Sequence, residues 1–347
     1  MTNLCTLFDS NYLSRGLALY NSIQKVSTVF HLYVVAFDKG CYDYLQNANL
    51  PSLTVISLDD FEDNALLEVK SFRSAAEYCW TCTPSVILYC LETYNLPSCT
   101  YVDADMIFFD DPQLLLDEMG SDSVLICEHR YTKDYDVSVT HGIYCVQFVC
   151  FKNTEEGLTV LKWWRERCLE WCYARLEDGK FGDQKYLDDW VKRFSGVHVL
   201  RHPGGGVAPW NVQQYIFYDS NGKIYLKNRI DNLVFPVVFF HFHGLKFYTN
   251  GFVSFCGPIY ALHSWVKEIF YNPYIKSLLE IENNLKKQSV SFNVTGAKTE
   301  RPAMGKVLTE FLRDFGSMIV KGKASPFKLG NYNFKRHYHF YKLDEFK

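Results

Sequence analysis

Two aspartates lie two positions apart in an otherwise apolar stretch: Asp103 and Asp105, within Tyr101-Val102-Asp103-Ala104-Asp105-Met106-Ile107-Phe108-Phe109. Two carboxylates held about 5 Å apart at an effective dielectric constant near 20 repel each other by roughly 3 kcal/mol. A fold therefore favours this pattern only where a cation or hydrogen-bond donors lie between the two groups. A divalent ion with oxygen ligands, Mn²⁺ or Mg²⁺, is the simplest occupant. The alternative is a turn after a buried strand, in which Asp103 caps a helix.

Two histidines, His241 and His243, follow the apolar run 235–240, which would bring them to the end of a strand. One imidazole would complete the ligand shell of a metal at the aspartates, although a core or loop histidine is in general the more frequent case for each residue. The chain has neither a Walker loop nor a G-x-G-x-x-G motif. The diphosphate of a bound nucleotide would therefore be neutralised by the metal and not by a helix N-terminus.

The elements that must position these residues alternate between strand and helix patterns over the first 130 residues. The predicted strands are 4–8, 29–37, 53–58, 99–102 and 123–127, and the predicted helices are 13–24, 84–94 with Pro84 in its first turn, and 112–119. This alternation predicts an α/β fold with a mostly parallel, doubly wound sheet flanked by helices. Ligands bind beyond the carboxyl ends of the strands in such sheets, and Asp9 and Asp103 both follow a predicted strand.

The pattern changes after residue 144. A strand at 144–151 precedes a long helix from 154 to about 173, a glycine-rich loop at 201–211 and a hairpin with its turn at 220–223. Helices are predicted from residue 259 onward. We therefore expect a catalytic domain at 1–258 and a mainly helical, basic C-terminal extension at 259–347.

The composition is that of a folded protein, with 48% apolar and 22% charged residues among 347. A net charge of −3 argues against a dedicated nucleic-acid binder. The charge is unevenly distributed, because residues 285–347 contain 13 basic and 5 acidic side chains. This basic tail would either pack on the acidic remainder of the chain or contact the anionic headgroups of a membrane.

The compartment is predicted from what the sequence lacks. It has neither a signal-peptide pattern nor a run of about 18 apolar residues, so we expect a cytoplasmic protein, peripheral at most on the inner face of the membrane. Most of the 12 cysteines lie in apolar runs, as reduced thiols do. A zinc site at Cys79, Cys82, Cys168 and Cys172 is a weaker alternative.

Four segments, taken in order, resemble motifs of the GT-A glycosyltransferases of the glycogenin and bacterial lipooligosaccharide galactosyltransferase group, glycosyltransferase family 8. They are Phe8-Asp9-Ser10-Asn11-Tyr12, Tyr101-Val102-Asp103-Ala104-Asp105, Gly182-Asp183-Gln184 with Pro209-Trp210-Asn211, and His241-Phe242-His243-Gly244. The match covers roughly residues 1–250. Lys246 stands one position earlier than in the family, and Lys185 replaces a second carboxylate, which indicates a divergent bacterial-type branch.

The resemblance implies a GT-A fold and a transfer of a sugar, with retention, from a nucleoside diphosphate donor, a UDP-sugar, to a glycan or lipid-linked acceptor, as in polysaccharide biosynthesis. It implies metal ligands at Asp103, Asp105 and His241, with His243 as a competitor, and places Asp183 and Gln184 at the transferred sugar. Asp183 is there a nucleophile, an anchor for the acceptor or only the N-cap of a helix. Arg73 is a further candidate, because a guanidinium group pairs bidentately with phosphate oxygens. The expected donor contacts are therefore Phe8, Asp9, Asn11, Tyr12, Arg73, Asp103, Ala104, Trp210, Asn211, His243, Gly244 and Lys246.

Two other functions stay open. A nucleotidyltransferase on a similar fold would normally show a basic glycine-rich loop near the N-terminus, which is absent here. A degenerate nucleotide-sugar-binding protein without catalysis fits the displaced Lys246. A retaining hydrolase is disfavoured, because it needs two free carboxyl groups about 5 Å apart and the only obvious close pair is assigned to the metal.

Overall fold

The structure, a computed structural model, describes residues 1–219, 222–257, 260–299 and 339–347. Its strands are β1 (Thr2–Phe8), β2 (Phe30–Ala36), β3 (Leu53–Ile56), β4 (Ser98–Val102), β5 (Met106–Phe108), β6 (Val124–Glu128), β7 (Tyr144–Lys152), β8 (Val197–Val199), β9 (Gly205–Val207), β10 (Tyr215–Asp219), β11 (Tyr225–Asn228), β12 (Val234–Pro236), β13 (Phe239–His241), β14 (Lys246–Tyr248), β15 (Phe252–Ser254) and β16 (Phe340–Lys342). Its α-helices are α1 (Leu13–Val26), α2 (Lys39–Ala48), α3 (Leu58–Phe61), α4 (Asn64–Lys70), α5 (Ala75–Thr93), α6 (Gln113–Leu116), α7 (Ser138–His141), α8 (Glu155–Glu170), α9 (Trp190–Arg193), α10 (Ser264–Val266) and α11 (Asn272–Lys287).

The largest sheet has seven strands in the order β3-β2-β1-β4-β7-β6-β8. β7 is antiparallel to both of its neighbours, and every other neighbouring pair is parallel. This confirms the predicted mostly parallel α/β sheet flanked by helices. The carboxyl ends of β1 and β4 are adjacent, so the residues that follow them meet at one edge of the sheet.

Alternate residues of the strands face two different layers of helices. Cys5 and Leu7 of β1 belong to an apolar core with α5 and α8, whereas Leu4 and Phe8 belong to a second core with α1 and α2. Burial on both faces is typical of parallel strands and explains their almost continuous apolar sequences. The strand ends that carry the candidate site are therefore fixed from both sides.

A small second sheet brings a distant part of the chain to the same edge. β13 pairs antiparallel with β5 and parallel with β9, and His241 lies opposite Met106. β5 begins directly after Asp105, and β13 ends at His241. The pairing therefore places the histidine beside the two aspartates.

The predicted strands of the first 151 residues are all present, but two predicted segments were wrong in detail. The helix predicted at 84–94 begins at Ala75, because Ser74 and Glu77 form a capping box there, and Pro84 lies inside it. The glycine-rich segment is not only a loop, since it contains β9. A Cβ atom on Gly204 would lie 1.9 Å from the carbonyl oxygen of Pro236, so only a glycine permits this approach to β12.

The later hairpin is confirmed by the antiparallel pairing of β10 with β11, although residues 220 and 221 of its turn lie outside the described residues. The helix predicted to run to about 173 ends earlier, at Glu170.

The described residues after 259 contact the rest of the chain at several places. α11 packs on α1, where the guanidinium group of Arg15 donates to the carbonyl oxygens of Thr295 (2.8 Å) and Leu245 (3.1 Å). β16 pairs antiparallel with β15. The domain boundary at 258/259 stays a prediction, and most of the basic tail lies outside the described residues. Within the described ranges, no helix is both long and apolar enough to cross a membrane.

Candidate active site

Three side chains meet at the edge where β4 ends. Asp103 and Asp105 lie in the turn between β4 and β5, and the Nε2 atom of His241 is 3.1 Å from Asp105 Oδ1 and 3.8 Å from Asp103 Oδ2. One ligand atom from each residue lies within 4.8 Å of the other two. His241 is buried, whereas the two carboxylates are partly open to solvent. The group is therefore anchored on one side and accessible on the other.

The electrostatics of this group are those of two carboxylates that share one cation. Burial raises the pKa of Asp103, and attraction to His241 offsets this only in part. Burial also opposes ionisation of Asp105, but the charge and hydrogen bond of His241 outweigh it and lower the pKa of Asp105 to about 2. Burial disfavours the imidazolium form of His241, yet Asp105 and Asp103 outweigh burial and raise the pKa of His241. The imidazolium form of His241 thus compensates the carboxylates.

The donor set fits a divalent metal ion. Carboxylate oxygens are the preferred ligands of Mg²⁺ and Mn²⁺, and a neutral imidazole is an accepted further ligand. The second histidine, His243, lies outside this group: its ring centroid is 5.8 Å from that of His241, and the residue is exposed. Of the two histidines that the sequence left in competition, the structure brings His241 to the aspartates.

Two residues that the sequence analysis did not select contact these side chains. The hydroxyl of Tyr101 donates to Asp103 Oδ1 at 3.0 Å. Gln147 of β7 is fully buried, and its Oε1 atom is 2.7 Å from His241 Nδ1. The only sequence signal for Gln147 is its position as the single amide in the buried run Tyr144–Phe151.

Asp183 lies on the buried side of the site. Burial, followed by the charge of Asp103, raises the pKa of Asp183 to about 7. The indole of Trp164 donates to its carbonyl oxygen. Its carboxylate interacts with the side chain of Thr83 and with the backbone of Gln184, at the start of the helical turn Gln184–Asp189. The neighbouring Gln184 donates from Nε2 to the carbonyl oxygen of His141 at 2.7 Å.

The loop after β1 is held by two aspartates. Asp9 accepts hydrogen bonds from the backbone N–H (3.0 Å) and the side-chain amide (2.9 Å) of Asn11. Asp38 accepts from the backbone N–H of Ser10 at 2.8 Å and also caps α2. Tyr12 is exposed and interacts electrostatically with Asp105, Asp103 and Asp9, so this loop and the acidic pair share one region.

The other predicted donor contacts differ in accessibility. Phe8 is buried with its ring against Gly16, and Ala104 is buried between the two aspartates. Arg73 lies over the ring of Tyr173 at 3.9 Å and donates to the carbonyl oxygen of Leu169. Lys246 is exposed at the start of β14. Gly244, which precedes it, has a φ of +80°, a value that favours glycine.

Trp210 and Asn211 point into the protein. The Nε1 atom of Trp210 and the Nδ2 atom of Asn211 both donate to the carbonyl oxygen of His129 at 2.8 Å, and Asn211 Nδ2 also donates to Gly206. Both amide hydrogens of Asn211 are therefore used within the protein. The ring of Trp210 lies edge-to-face with those of His241 and His243, with ring centroids 5.3 and 5.6 Å away, so the indole packs against the two histidines.

The cysteines of the weaker zinc alternative do not form a cluster of metal ligands among the described residues. Cys79 and Cys82 both lie on α5, and neither belongs to a group of three possible ligands among the described residues. All twelve cysteines are free thiols.

No protein-family model matches the chain. Two sequence relatives come from Bacillus subtilis (strain 168). The uncharacterized protein YfnD is 28% identical over 280 residues, which cover 79% of this chain and 87% of YfnD. The uncharacterized protein YfnF is 30% identical over 250 residues, which cover 70% of this chain and 81% of YfnF.

The fold is similar to those of several solved structures. One is the galactosyltransferase LgtC in complex with donor and acceptor sugar analogs, with a TM-score of 0.47 and 15% identity over 80% of this chain and 96% of LgtC. Another is the glycosyltransferase GlyE of Streptococcus pneumoniae TIGR4, with a TM-score of 0.46 and 11% identity over 84% of this chain and 65% of that one.

Proposed function

This chain belongs to the family of the uncharacterized protein YfnF of Bacillus subtilis, and we propose that it is a metal-dependent glycosyltransferase. It would transfer a sugar, with retention, from a nucleoside diphosphate donor, a UDP-sugar, to a glycan or lipid-linked acceptor. The observation that carries the proposal is the convergence of Asp103, Asp105 and His241, whose ligand atoms lie within 4.8 Å of one another. Their position beyond the carboxyl ends of adjacent parallel strands is where α/β sheets bind ligands.

Asp103, Asp105 and His241 would hold Mn²⁺ or Mg²⁺, which supplies Lewis-acid neutralisation of the departing diphosphate. The His241 ring is fixed by Gln147, and Asp103 by Tyr101, so the donor atoms are arranged before a ligand arrives. This arrangement limits the reorganisation that binding requires.

The nucleoside is assigned to the loop after β1. Asp9 and Asn11 are hydrogen-bonded to each other and stand at the carboxyl end of β1, beside the end of β4. Polar atoms at such a position give the base and ribose their specificity, because a ligand that lacks the matching group leaves them unpaired. The exposed ring of Tyr12 adds an apolar surface to the same loop.

Asp183 and Gln184 are assigned to the transferred sugar. Asp183 interacts electrostatically with Asp103, which places it near the acidic pair, and its pKa of about 7 lets its carboxyl group take up or release a proton near neutral pH. Its role is either that of a nucleophile or that of an anchor for the acceptor hydroxyl. The hydrogen bond from Gln184 to the carbonyl oxygen of His141 orients the side-chain amide of Gln184, next to Asp183.

The test is release of a nucleoside diphosphate by the purified full-length chain. A panel of nucleoside diphosphate sugars, led by UDP-sugars, is incubated with Mn²⁺, with Mg²⁺ or with a chelator, and the released diphosphate is measured. Asp103→Asn and Asp105→Asn should each lower the rate about 100-fold or more, since each removes a charged ligand. Asp117→Asn, which changes an exposed aspartate, serves as the matched control.

Two outcomes would contradict the proposal. If the wild-type chain released no diphosphate from any donor in the presence of metal and acceptor, the catalytic function would be wrong. Tight nucleotide binding in that same experiment would identify the degenerate binding protein instead. If release occurred but resisted both aspartate substitutions, the site assignment would be wrong.

A further inference from the structure

We propose that Gln147 is a positioning residue that sets both the ring orientation of His241 and the placement of Asp103 for metal binding. This inference rests on the proposed function, because it concerns the same three ligands. Gln147 comes from β7, a strand that contributes none of the predicted site residues. Its side chain is fully buried and could not itself reach a substrate.

Gln147 contacts two of the three ligands through different atoms. Its Oε1 atom is 2.7 Å from Nδ1 of His241. Its backbone carbonyl oxygen accepts a hydrogen bond of 3.2 Å from the N–H of Asp103, just beyond the last residue pair of β4 and β7. A single residue therefore connects a ligand after β4 to a ligand at the end of β13.

The strand is irregular where this residue lies. β6 and β7 pair at Leu125 with Cys150 and then at Cys127 with Cys145, so β7 contains extra residues between these two pairs. Bulges of this kind re-aim side chains and are frequent beside active sites. The irregularity includes Gln147, which accounts for a buried amide that points out of the strand toward His241.

The chemistry follows from what each atom can donate. An amide oxygen only accepts, so Nδ1 carries a hydrogen and donates it to Gln147, which fixes the ring with Nε2 facing Asp103 and Asp105. A metal ion would bind at Nε2 in place of the hydrogen that this atom shares with Asp105, and a ring held through its other nitrogen is a stronger histidine ligand. On the other side, Gln147 Nε2 is 4.0 Å from Cys127 Sγ, whose thiol hydrogen is directed at the Gly205 carbonyl oxygen. The amide nitrogen therefore has an acceptor of its own in this orientation.

The space around the amide restricts alternatives. A Cβ atom on Gly206 would lie 3.3 Å from Gln147 Nε2, and Gly206 has a φ of +121°. Gly206 of β9, which has no side chain, thus leaves room for the side-chain amide of Gln147. If Gln147 had only a structural role, removal of its side-chain amide would lower the stability of the protein without changing the hydrogen bond of His241 or its affinity for a metal ion.

The experiment compares Gln147→Leu with Gln147→Glu. Leucine has a similar size but no acceptor, whereas the glutamate carboxylate still accepts from Nδ1–H. Gln214→Leu is the control, because Gln214 is a half-buried amide whose Nε2 atom donates to the Arg130 carbonyl oxygen and contacts no ligand. All variants are compared with the wild type by melting temperature before binding is measured.

Two readouts are used on the full-length protein. The first is the NMR signal of the His241 Nδ1–H hydrogen without metal, assigned by comparison with His241→Ala. We expect a downfield, slowly exchanging signal, as for a hydrogen bond to a buried acceptor, in the wild type, the glutamate variant and the control, and loss of that signal in Gln147→Leu. The second is the Mn²⁺ dissociation constant from electron paramagnetic resonance, which should rise about 10- to 100-fold in Gln147→Leu only.

The inference is overturned if Gln147→Leu keeps the hydrogen-bonded Nδ1–H signal, or if Gln147→Glu loses metal affinity as severely as Gln147→Leu. Failure of the proposed function looks different. In that case no diphosphate is released, or the wild type does not bind Mn²⁺, while the Nδ1–H measurement still decides whether Gln147 orients His241.

Discussion

The indole Nε1 atom of Trp164 donates a hydrogen bond of 2.9 Å to the backbone carbonyl oxygen of Asp183. Trp164 is fully buried on α8, where its ring meets the edge of Trp190. The contact ties a rigid helix to the segment that carries the residues assigned to the transferred sugar. It also fixes a carboxyl group in surroundings where its charge is poorly solvated.

Burial of the Asp183 carboxyl group should make the free energy of unfolding depend on pH. The pKa of Asp183 is raised to about 7 by burial and by Asp103, so the folded state prefers the protonated carboxyl. The contribution of the protonated Asp183 carboxyl to the free energy of unfolding is fully present below about pH 4 and is lost as the pH rises through about 7. The loss is on the order of 4 kcal/mol. Asp183→Asn should therefore gain stability relative to the wild type as the pH rises from 4 to 8.

The measurement is the melting temperature of both proteins with a chelator present, since a bound cation would favour the charged carboxylate. Asp189→Asn, on the exposed side of the same segment, should show a difference from the wild type that does not change with pH. A constant difference for Asp183→Asn would contradict the raised pKa.

Metal binding should stabilise the folded chain. A ligand at about 100 times its dissociation constant adds about 2.7 kcal/mol. We expect Mn²⁺ together with UDP to raise the melting temperature of the wild type, and the shift to disappear in Asp103→Asn and Asp105→Asn. Asp117→Asn should behave like the wild type. An equal shift in all four proteins would place the ion elsewhere.

The sequence predicted the parts of this site that depend on local pattern. Asp103 and Asp105 stand out as charges in an apolar run, and the strand and helix alternation predicts the sheet edge to which they belong. The contacts of Gln147 could not be predicted, because they depend on β7 lying between β4 and β6 and on the irregular pairing there. The order of the strands in the sheet differs from their order in the chain, and local periodicity does not encode the order in the sheet.

Trp210 and Asn211 show the same limit of prediction from sequence. Their motif placed them at the donor, but the direction of each polar atom is set by backbone carbonyls from a distant segment, those of His129 above all. A buried amide must satisfy its hydrogen bonds wherever partners exist. The contact of this segment with the donor stays a prediction, and sequence spacing could not give the direction in which its side chains point.

Nucleotide affinity should depend on the loop after β1. Asp9→Ala removes the acceptor of two hydrogen bonds from Asn11, and a charged hydrogen bond contributes about 1.5–3 kcal/mol. We expect the UDP dissociation constant, measured calorimetrically with Mn²⁺, to rise about tenfold or more. Asp43→Ala, which changes an aspartate on α2 that pairs with Lys39, is the control. Unchanged affinity in Asp9→Ala would move the nucleoside away from this loop.

The basic tail leads to a prediction about membranes. Residues 285–347 carry 13 basic and 5 acidic side chains, and each basic residue close to an anionic surface contributes about 1 kcal/mol. We expect the chain to co-sediment with vesicles that contain phosphatidylserine, in a salt-sensitive manner, and not with neutral vesicles. Truncation after Leu285 is a poor test, because it also removes β16, which pairs with β15. Replacing Lys335 and Arg336 by glutamate leaves β16 in place and should weaken co-sedimentation, whereas replacing the exposed Lys39 and Lys162 by glutamate should not. If both double variants bound the vesicles as well as the wild type, the tail would be assigned to packing on the acidic remainder of the chain.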